Sequence, residues 1–240
     1  PAEIDPILVG SHLWNYFKPH PLVVEKFYYY PGAKFFMDLA GAIPIPDFEV
    51  SVNNWKVKKG DEAYENILQK LKQGENLLVY PAGLLKRTAH EKIGGSSLIS
   101  RLMSDYRDFD ILLVRIDGLW GSMFSRALTG NIPGFWGLLL KGIGIIFKNL
   151  IFFTPKRDVS LEFCVNPPDF PYDSEKRDLN QYLEKFYNRY RQEDGTIGEE
   201  EPLRLISHRF YRHKVPQVEF DPTQQSLFSS NNDVPEWVRS

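Results

Sequence analysis

The sequence predicts an α/β fold in which a mixed sheet is flanked by helices. Apolar segments of strand length alternate with amphipathic helical segments between residues 60 and 116, and such alternation places helices on the faces of a sheet. The composition, 42% hydrophobic and 25% charged over 240 residues, is that of a folded globular chain. The length fits one domain and a tail, which we place at 1–194 and 195–240.

The N-terminal part predicts short elements. An apolar helix is expected over 6–17, with Pro6 in its first turn, where proline is tolerated. A short strand is expected over 27–30, a helical turn over 35–39 and another strand over 42–45. These elements precede the region in which the alternation of helix and strand is clearest.

The central part has the strongest periodicity. A helix is predicted over 60–73, ended by Gly74, because apolar residues recur at helical spacing; these are Tyr64, Ile67, Leu68 and Leu71. Strands are predicted over 77–80 and 111–116, with a helix over 96–106 between them.

The C-terminal part contains the most apolar stretch of the chain, over 132–153. A strand is expected over 159–165 and a helix over 178–191. Beyond Asp194 an acidic run, an aromatic-basic segment and a Ser/Asn-rich run follow one another, as is typical of a linker.

Charge and cysteine content narrow the class of protein. A net charge of −2 provides no global basic field for nucleic acid. The single cysteine, Cys164, excludes an intrachain disulfide and favours a reducing compartment, and its sequence neighbours do not indicate a metal site. The start at Pro-Ala-Glu, without a basic and apolar leader, indicates a segment cut from a longer protein.

Four motifs occur in the order found in the glycerophospholipid acyltransferase family. Pro1–Asp5 resembles the end of its His-x-x-x-x-Asp motif, Gly41–Pro46 its second block, Val79–Gly83 its third and Leu112–Ile116 its fourth. The resemblance implies that a histidine deprotonates a glycerol hydroxyl for attack on an acyl thioester, while Asp5 orients that histidine. None of the five histidines present completes the motif, so the base is expected immediately before Pro1 and the chain as given is expected to lack it.

Several positions depart from the family pattern. Pro46 and Asp47 stand where an arginine is usual, Ala82 replaces a glutamate, and Arg115 replaces a proline. These changes disfavour a standard lysophosphatidate acyltransferase. The chain is more similar to a divergent subgroup fused ahead of an acyl-acyl-carrier-protein ligase. That resemblance implies acyl transfer from an acyl carrier protein or coenzyme A thioester to a lysophospholipid such as lysophosphatidylethanolamine, with no cofactor beyond the thioester.

The third block suggests the substrate site. The turn formed by Tyr80, Pro81 and Gly83 follows a buried strand and is expected to expose backbone N–H groups, bringing Lys86 and Arg87 towards an anionic head group. The alternative is an ordinary Pro/Gly turn followed by a solvated basic pair.

Two glycine-rich segments are open to two interpretations each. Gly94–Ser97 could cradle a phosphate or could place Ser96 as a helix N-cap, which is the interpretation we favour. Gly118–Ser122, with Arg126, could line an acyl or phosphate pocket or could simply bury Trp120.

The 132–153 stretch is long enough to span a bilayer, but Lys141 would lie near its middle at a cost of roughly 2.5–3.5 kcal/mol. We therefore predict an interfacial helix that meets the membrane through Phe135, Trp136, Lys141 and Lys148, with a buried core helix as the alternative. The predicted location is the cytoplasmic face of a membrane, peripheral or monotopic. A competing function is a non-catalytic lipid- or partner-binding module with an acyltransferase-like fold.

Overall fold

The computed structural model describes residues 4–47, 54–83, 85–128, 130, 134–149, 157–191, 197–198, 200 and 202. Its helices are α1 (Asp5–Phe17), α2 (Glu25–Tyr28), α3 (Lys34–Leu39), α4 (Asn54–Lys72), α5 (Leu98–Asp105), α6 (Phe135–Lys148) and α7 (Lys176–Tyr187), with a 3₁₀ turn at Arg126–Leu128. Its strands are β1 (His20–Val24), β2 (Ile43–Ile45), β3 (Leu77–Leu78), β4 (Leu112–Asp117), β5 (Ser160–Val165), β6 (Tyr190–Arg191) and β7 (Ile197–Gly198).

The strands form small separate sheets. In the first, β1 lies between β2 and β3 and is parallel to both, with Leu22 opposite Ile43. In the second, β4 and β5 are antiparallel, with Leu113 opposite Cys164. The third consists of β6 and β7, which are also antiparallel. The predicted mixture of helices with parallel and antiparallel strands is confirmed. The described strands do not, however, join into the single mixed sheet that the sequence suggested.

Most predicted elements are present with shifted ends. The helix predicted over 60–73 begins six residues earlier, at Asn54, and the strand predicted over 77–80 ends at Leu78. The strand predicted over 27–30 is wrong, because Phe27 and Tyr28 belong to the short helix α2 and Tyr29 is the C-cap residue of that helix. The strand in this region is instead the five-residue β1, which pairs with β2 on one side and β3 on the other. Whether a segment forms a strand depends more on such pairing with distant segments than on local propensity.

Among the residues that the structure describes, two clusters of buried side chains form the core. One packs α4 against β2 and α5, and its buried members are Ile43, Tyr64, Ile67, Leu68 and Leu102. The other packs α7 against α5 and β4, and its buried members are Ile93, Met103, Leu113, Phe170, Leu179, Leu183 and Phe186. Burying a side chain of this size contributes about 1.5–3 kcal/mol. The helical spacing of the apolar residues in α4 and α7 therefore produces the packing that the sequence predicted.

Candidate functional site

A cavity of about 600 Å³ opens between α1, the segment after β3 and the end of β4. Its walls are mainly apolar, and Val9, Leu13 and Leu119 contribute to them. Polar groups enter it from distant parts of the chain, and these include Asp5, Tyr80, Lys86, Arg115 and Glu200. An apolar cavity with a few convergent polar groups is the usual form of a small-molecule site.

Asp5 lies in the first turn of α1, where Pro6 follows it, and only 3% of the residue is exposed. A carboxylate suits this position because the N-terminus of a helix carries a partial positive charge. Burial and, secondarily, the Asp5 carboxylate raise the pKa of the Tyr80 phenol. The structure therefore brings together at one wall two residues that the sequence assigned to the site.

The turn after β3 places its residues unequally. The Gly83 N–H donates to the Tyr80 carbonyl at 2.9 Å and Gly83 has φ +64°, so this N–H closes the turn rather than facing an anion. Tyr80, Pro81 and Lys86 line the cavity, whereas Gly83 and Arg87 are exposed and are not among the described residues that line it. The basic pair predicted from sequence is therefore divided between the cavity and the surface.

Lys86 forms an ion pair inside the cavity wall. Its Nζ donates to Glu200 Oε2 at 2.6 Å, and the two side chains are 3% and 11% exposed. The same ammonium lies 5.2 Å from the centre of the Trp120 ring. The ion pair is therefore largely removed from solvent.

Two backbone N–H groups also donate hydrogen bonds to Glu200. The N–H groups of Gly118 and Trp120 donate to its other oxygen, Oε1, at 3.1 and 3.3 Å. We call the three donors, Lys86 Nζ and the N–H groups of Gly118 and Trp120, the anion cradle. Glu200 falls in the segment predicted to be a linker, and it contacts Lys86 and the 118–120 backbone. The acidic run at 199–201 was the only sequence signal for such a partner.

The backbone of the 118–122 loop is held in position from two sides. Gly118 has φ +93°, and a Cβ at this position would lie 2.3 Å from the Asp158 carbonyl oxygen. Arg157 Nη1 donates to the carbonyls of Gly118 and Trp120 at 2.7 and 3.4 Å. Trp120 is 3% exposed, as the burial interpretation of this loop expects, and it also lines the cavity.

A second charged group lies beside the cradle on β4 and β5. Arg115 Nη2 is 2.6 Å from Glu162 Oε2, and its Nε is 3.2 Å from Asp117 Oδ2. Burial raises the pKa of the Asp117 carboxyl, with Glu200 and Glu162 adding to the effect and Arg115 opposing it. Arg115 therefore has two acidic partners, Asp117 on its own strand and Glu162 on β5.

The 91–96 segment is held by a polar face of α7. Asn180, Glu184 and Asn188 are spaced four residues apart, so they lie on one side of this helix. Glu184 Oε1 accepts from the N–H groups of Ile93 and Gly94, and Asn188 exchanges hydrogen bonds with both backbone groups of Glu91. The Gly94 N–H is therefore used within the protein rather than offered to a phosphate.

The start of α5 also differs from the favoured interpretation. Ser97, rather than Ser96, is the N-cap residue of this helix, and its side chain makes no capping hydrogen bond. Asn180 Nδ2 instead donates to the carbonyls of Gly94 and Ser96, at 2.9 and 2.8 Å.

Helix α6 has an exposed apolar face. Leu140, Ile143, Ile146 and Phe147 are 42–73% exposed, and Lys141 and Lys148 are exposed beside them. Leu138 is buried, but the exposure of the others disfavours a core helix. Phe135 and Trp136 belong to α6, and their side chains lie outside the described set. No described helix has both the length and the apolar run that crossing a bilayer requires.

Comparison with known proteins returns no match: no family model, no curated protein and no solved structure is significantly similar to the chain. Within the described residues, no group of three or more histidine, cysteine and carboxylate side chains is arranged to hold a metal ion.

Proposed function

We propose that the chain is an acyltransferase domain that moves a fatty acyl group from an acyl carrier protein or coenzyme A thioester to a lysophospholipid, such as lysophosphatidylethanolamine, at a membrane surface. The observation that carries this proposal is the meeting of two buried charged residues, Asp5 and Lys86, with half-buried Tyr80 at one largely apolar cavity. A base-orienting carboxylate, a cation for a phosphate and an apolar wall for an acyl chain are the parts that the reaction needs.

In the proposed reaction a histidine directly before Pro1 is the general base, and Asp5 accepts its second ring N–H. The imidazole removes the proton from a glycerol hydroxyl, whose oxygen attacks the thioester carbonyl carbon. The C–S bond then breaks, and the thiolate leaves with the proton from the imidazolium. General base catalysis of this kind contributes about 10²–10⁴-fold to a rate. Lys86 is the proposed partner of the head-group phosphate.

The exposed face of α6 supports the membrane part of the proposal. Its apolar side chains and two lysines suit a helix lying in the plane of an anionic bilayer surface. We place the protein on the cytoplasmic face, as a peripheral or monotopic component.

A second candidate function is a non-catalytic lipid- or partner-binding module. One observation favours it: the ammonium of Lys86 is already paired with Glu200, at 2.6 Å. The residue encoded before Pro1 separates the two candidates, since the acyltransferase requires histidine there.

The direct test uses the protein with its natural upstream residues, incubated with acyl-acyl-carrier-protein or acyl-coenzyme A and lysophosphatidylethanolamine. We expect diacyl product by mass spectrometry, and Asp5→Ala should lower its rate about 100-fold or more. Asp61→Ala is the matched control, because Asp61 is exposed on α4 and pairs only at the surface, with Arg101. Equal activity of Asp5→Ala and Asp61→Ala would refute the proposed role of Asp5.

A further inference from the structure

The carboxylate of Glu200 sits in the anion cradle as a bound anion would. One oxygen, Oε2, accepts from Lys86 Nζ, and the other, Oε1, accepts from the N–H groups of Gly118 and Trp120. Neighbouring backbone N–H groups of one turn form concave anion sites in proteins, and here the donors are two residues apart and lie beside a cation. Three donors converging on one carboxylate therefore indicate an anion site that the chain itself fills.

The cradle is built without help from Glu200. The conformation of the 118–120 backbone is fixed by the close approach of Gly118 to the Asp158 carbonyl and by the hydrogen bonds from Arg157. Lys86 is buried below the Trp120 ring. All three donors thus have contacts with residues other than Glu200, and removing the Glu200 carboxylate would take an ion-pair partner away from a buried ammonium.

We infer that the cradle is a binding site for phosphoryl oxygens and that Glu200 is an internal competitor, which a ligand's phosphoryl group replaces. The inference rests on the proposed function in one respect, because it uses the same Lys86 ammonium. It adds the two backbone donors to the site, and it adds that the Glu200 carboxylate occupies the site until a phosphoryl group replaces it.

Intramolecular competition has a measurable consequence. Only the fraction of molecules with Glu200 displaced can bind, so the apparent dissociation constant is the intrinsic one divided by that fraction. A tethered group acts at an effective concentration of the order of millimolar or more. The wild-type protein should therefore bind phosphate weakly, and removal of the competitor should strengthen binding at least tenfold.

The experiment titrates inorganic phosphate into the full chain by calorimetry, together with thermal unfolding at each phosphate concentration. We expect Glu200→Ala to bind phosphate at least tenfold more tightly than wild type and to gain thermal stability as phosphate is added. Glu62→Ala removes the same charge from an exposed position on α4 and should behave as wild type. The double variant Glu200→Ala/Lys86→Met should lose the gain.

Equal phosphate binding by Glu200→Ala and wild type, or an undiminished gain in the double variant, would overturn the inference. Should Glu200→Ala unfold in the absence of phosphate, phosphate should restore its circular dichroism spectrum, and failure to do so would also overturn it. Glu200→Gln, which keeps the shape but not the charge, should bind phosphate more tightly than wild type.

A parallel titration with glycerophosphoethanolamine separates the two sources of the phosphoryl group. Binding of this soluble head group supports a lipid ligand, and binding of inorganic phosphate alone supports a free phosphate ligand. The two measurements need no turnover. Absence of acyl transfer therefore counts against the proposed function, while absence of phosphate binding counts against the cradle.

Discussion

Replacing Asn180 by alanine tests whether the polar face of α7 holds the 91–96 segment beside the cavity. Asn180 is 6% exposed and donates to two backbone carbonyls, those of Gly94 and Ser96. Each such bond contributes about 0.5–1.5 kcal/mol net, which gives about 1–3 kcal/mol for the pair. The higher helix propensity of alanine offsets about 0.5 kcal/mol of the loss. We therefore expect the free energy of unfolding to fall by about 0.5–2.5 kcal/mol.

The assay is urea unfolding followed by far-ultraviolet circular dichroism, in which the midpoint should fall at an unchanged slope. Gln181→Ala is the matched control, because Gln181 is the next residue of α7 and is exposed; it should change stability by less than about 0.5 kcal/mol. Should Asn180→Ala match Gln181→Ala, the bonds to Gly94 and Ser96 contribute nothing net and the reasoning fails.

Three further predictions concern single positions. In thermal unfolding, Gly118→Ala should destabilise the fold by at least about 1–2 kcal/mol, because Gly118 has a positive φ and an added Cβ would contact a carbonyl oxygen. Gly95→Ala is the control and should be tolerated in the same assay, because its Cβ would meet nothing within 4 Å and its φ is not positive. Tyr64→Phe should cost about 1.5–3 kcal/mol in urea unfolding, since the phenol donates to the Asp105 carboxylate at 2.6 Å. Burial raises the pKa of Asp117 above 3.8, so the native state binds this proton more tightly than the unfolded state does. The free energy of unfolding of wild type should therefore fall relative to that of Asp117→Asn as the pH rises through and above this value. A difference in unfolding free energy between the two proteins that does not change with pH would contradict this.

The sequence predicted best what depends on local spacing. The apolar residues of α4 recur at helical intervals, and Ile67 and Leu68 are buried as that pattern requires. The β1 strand was not predicted, because Pro19 precedes it and Pro21 lies within it, and proline is unusual in a central strand. Its pairing with the two parallel strands β2 and β3 specifies it instead.

The candidate site was predicted only in part, for the same reason. Lys86 and Arg87 are adjacent and chemically similar, and only the path of the chain after β3 sends one into the cavity and the other to the surface. Glu200 lies 114 residues from Lys86, and nothing in the local sequence distinguishes it from the glutamates on either side.

The sequence separation between Lys86 and Glu200 has a consequence for synthesis and proteolysis. The donors of the cradle leave the ribosome well before the glutamate that fills it, because chains emerge from their N-terminus. A nascent chain, or a product cleaved between α7 and Glu200, presents the Lys86 ammonium with no carboxylate from that position. Such shortened chains should therefore be the forms most readily captured on a phosphate-bearing resin, and the intact chain the form that passes through.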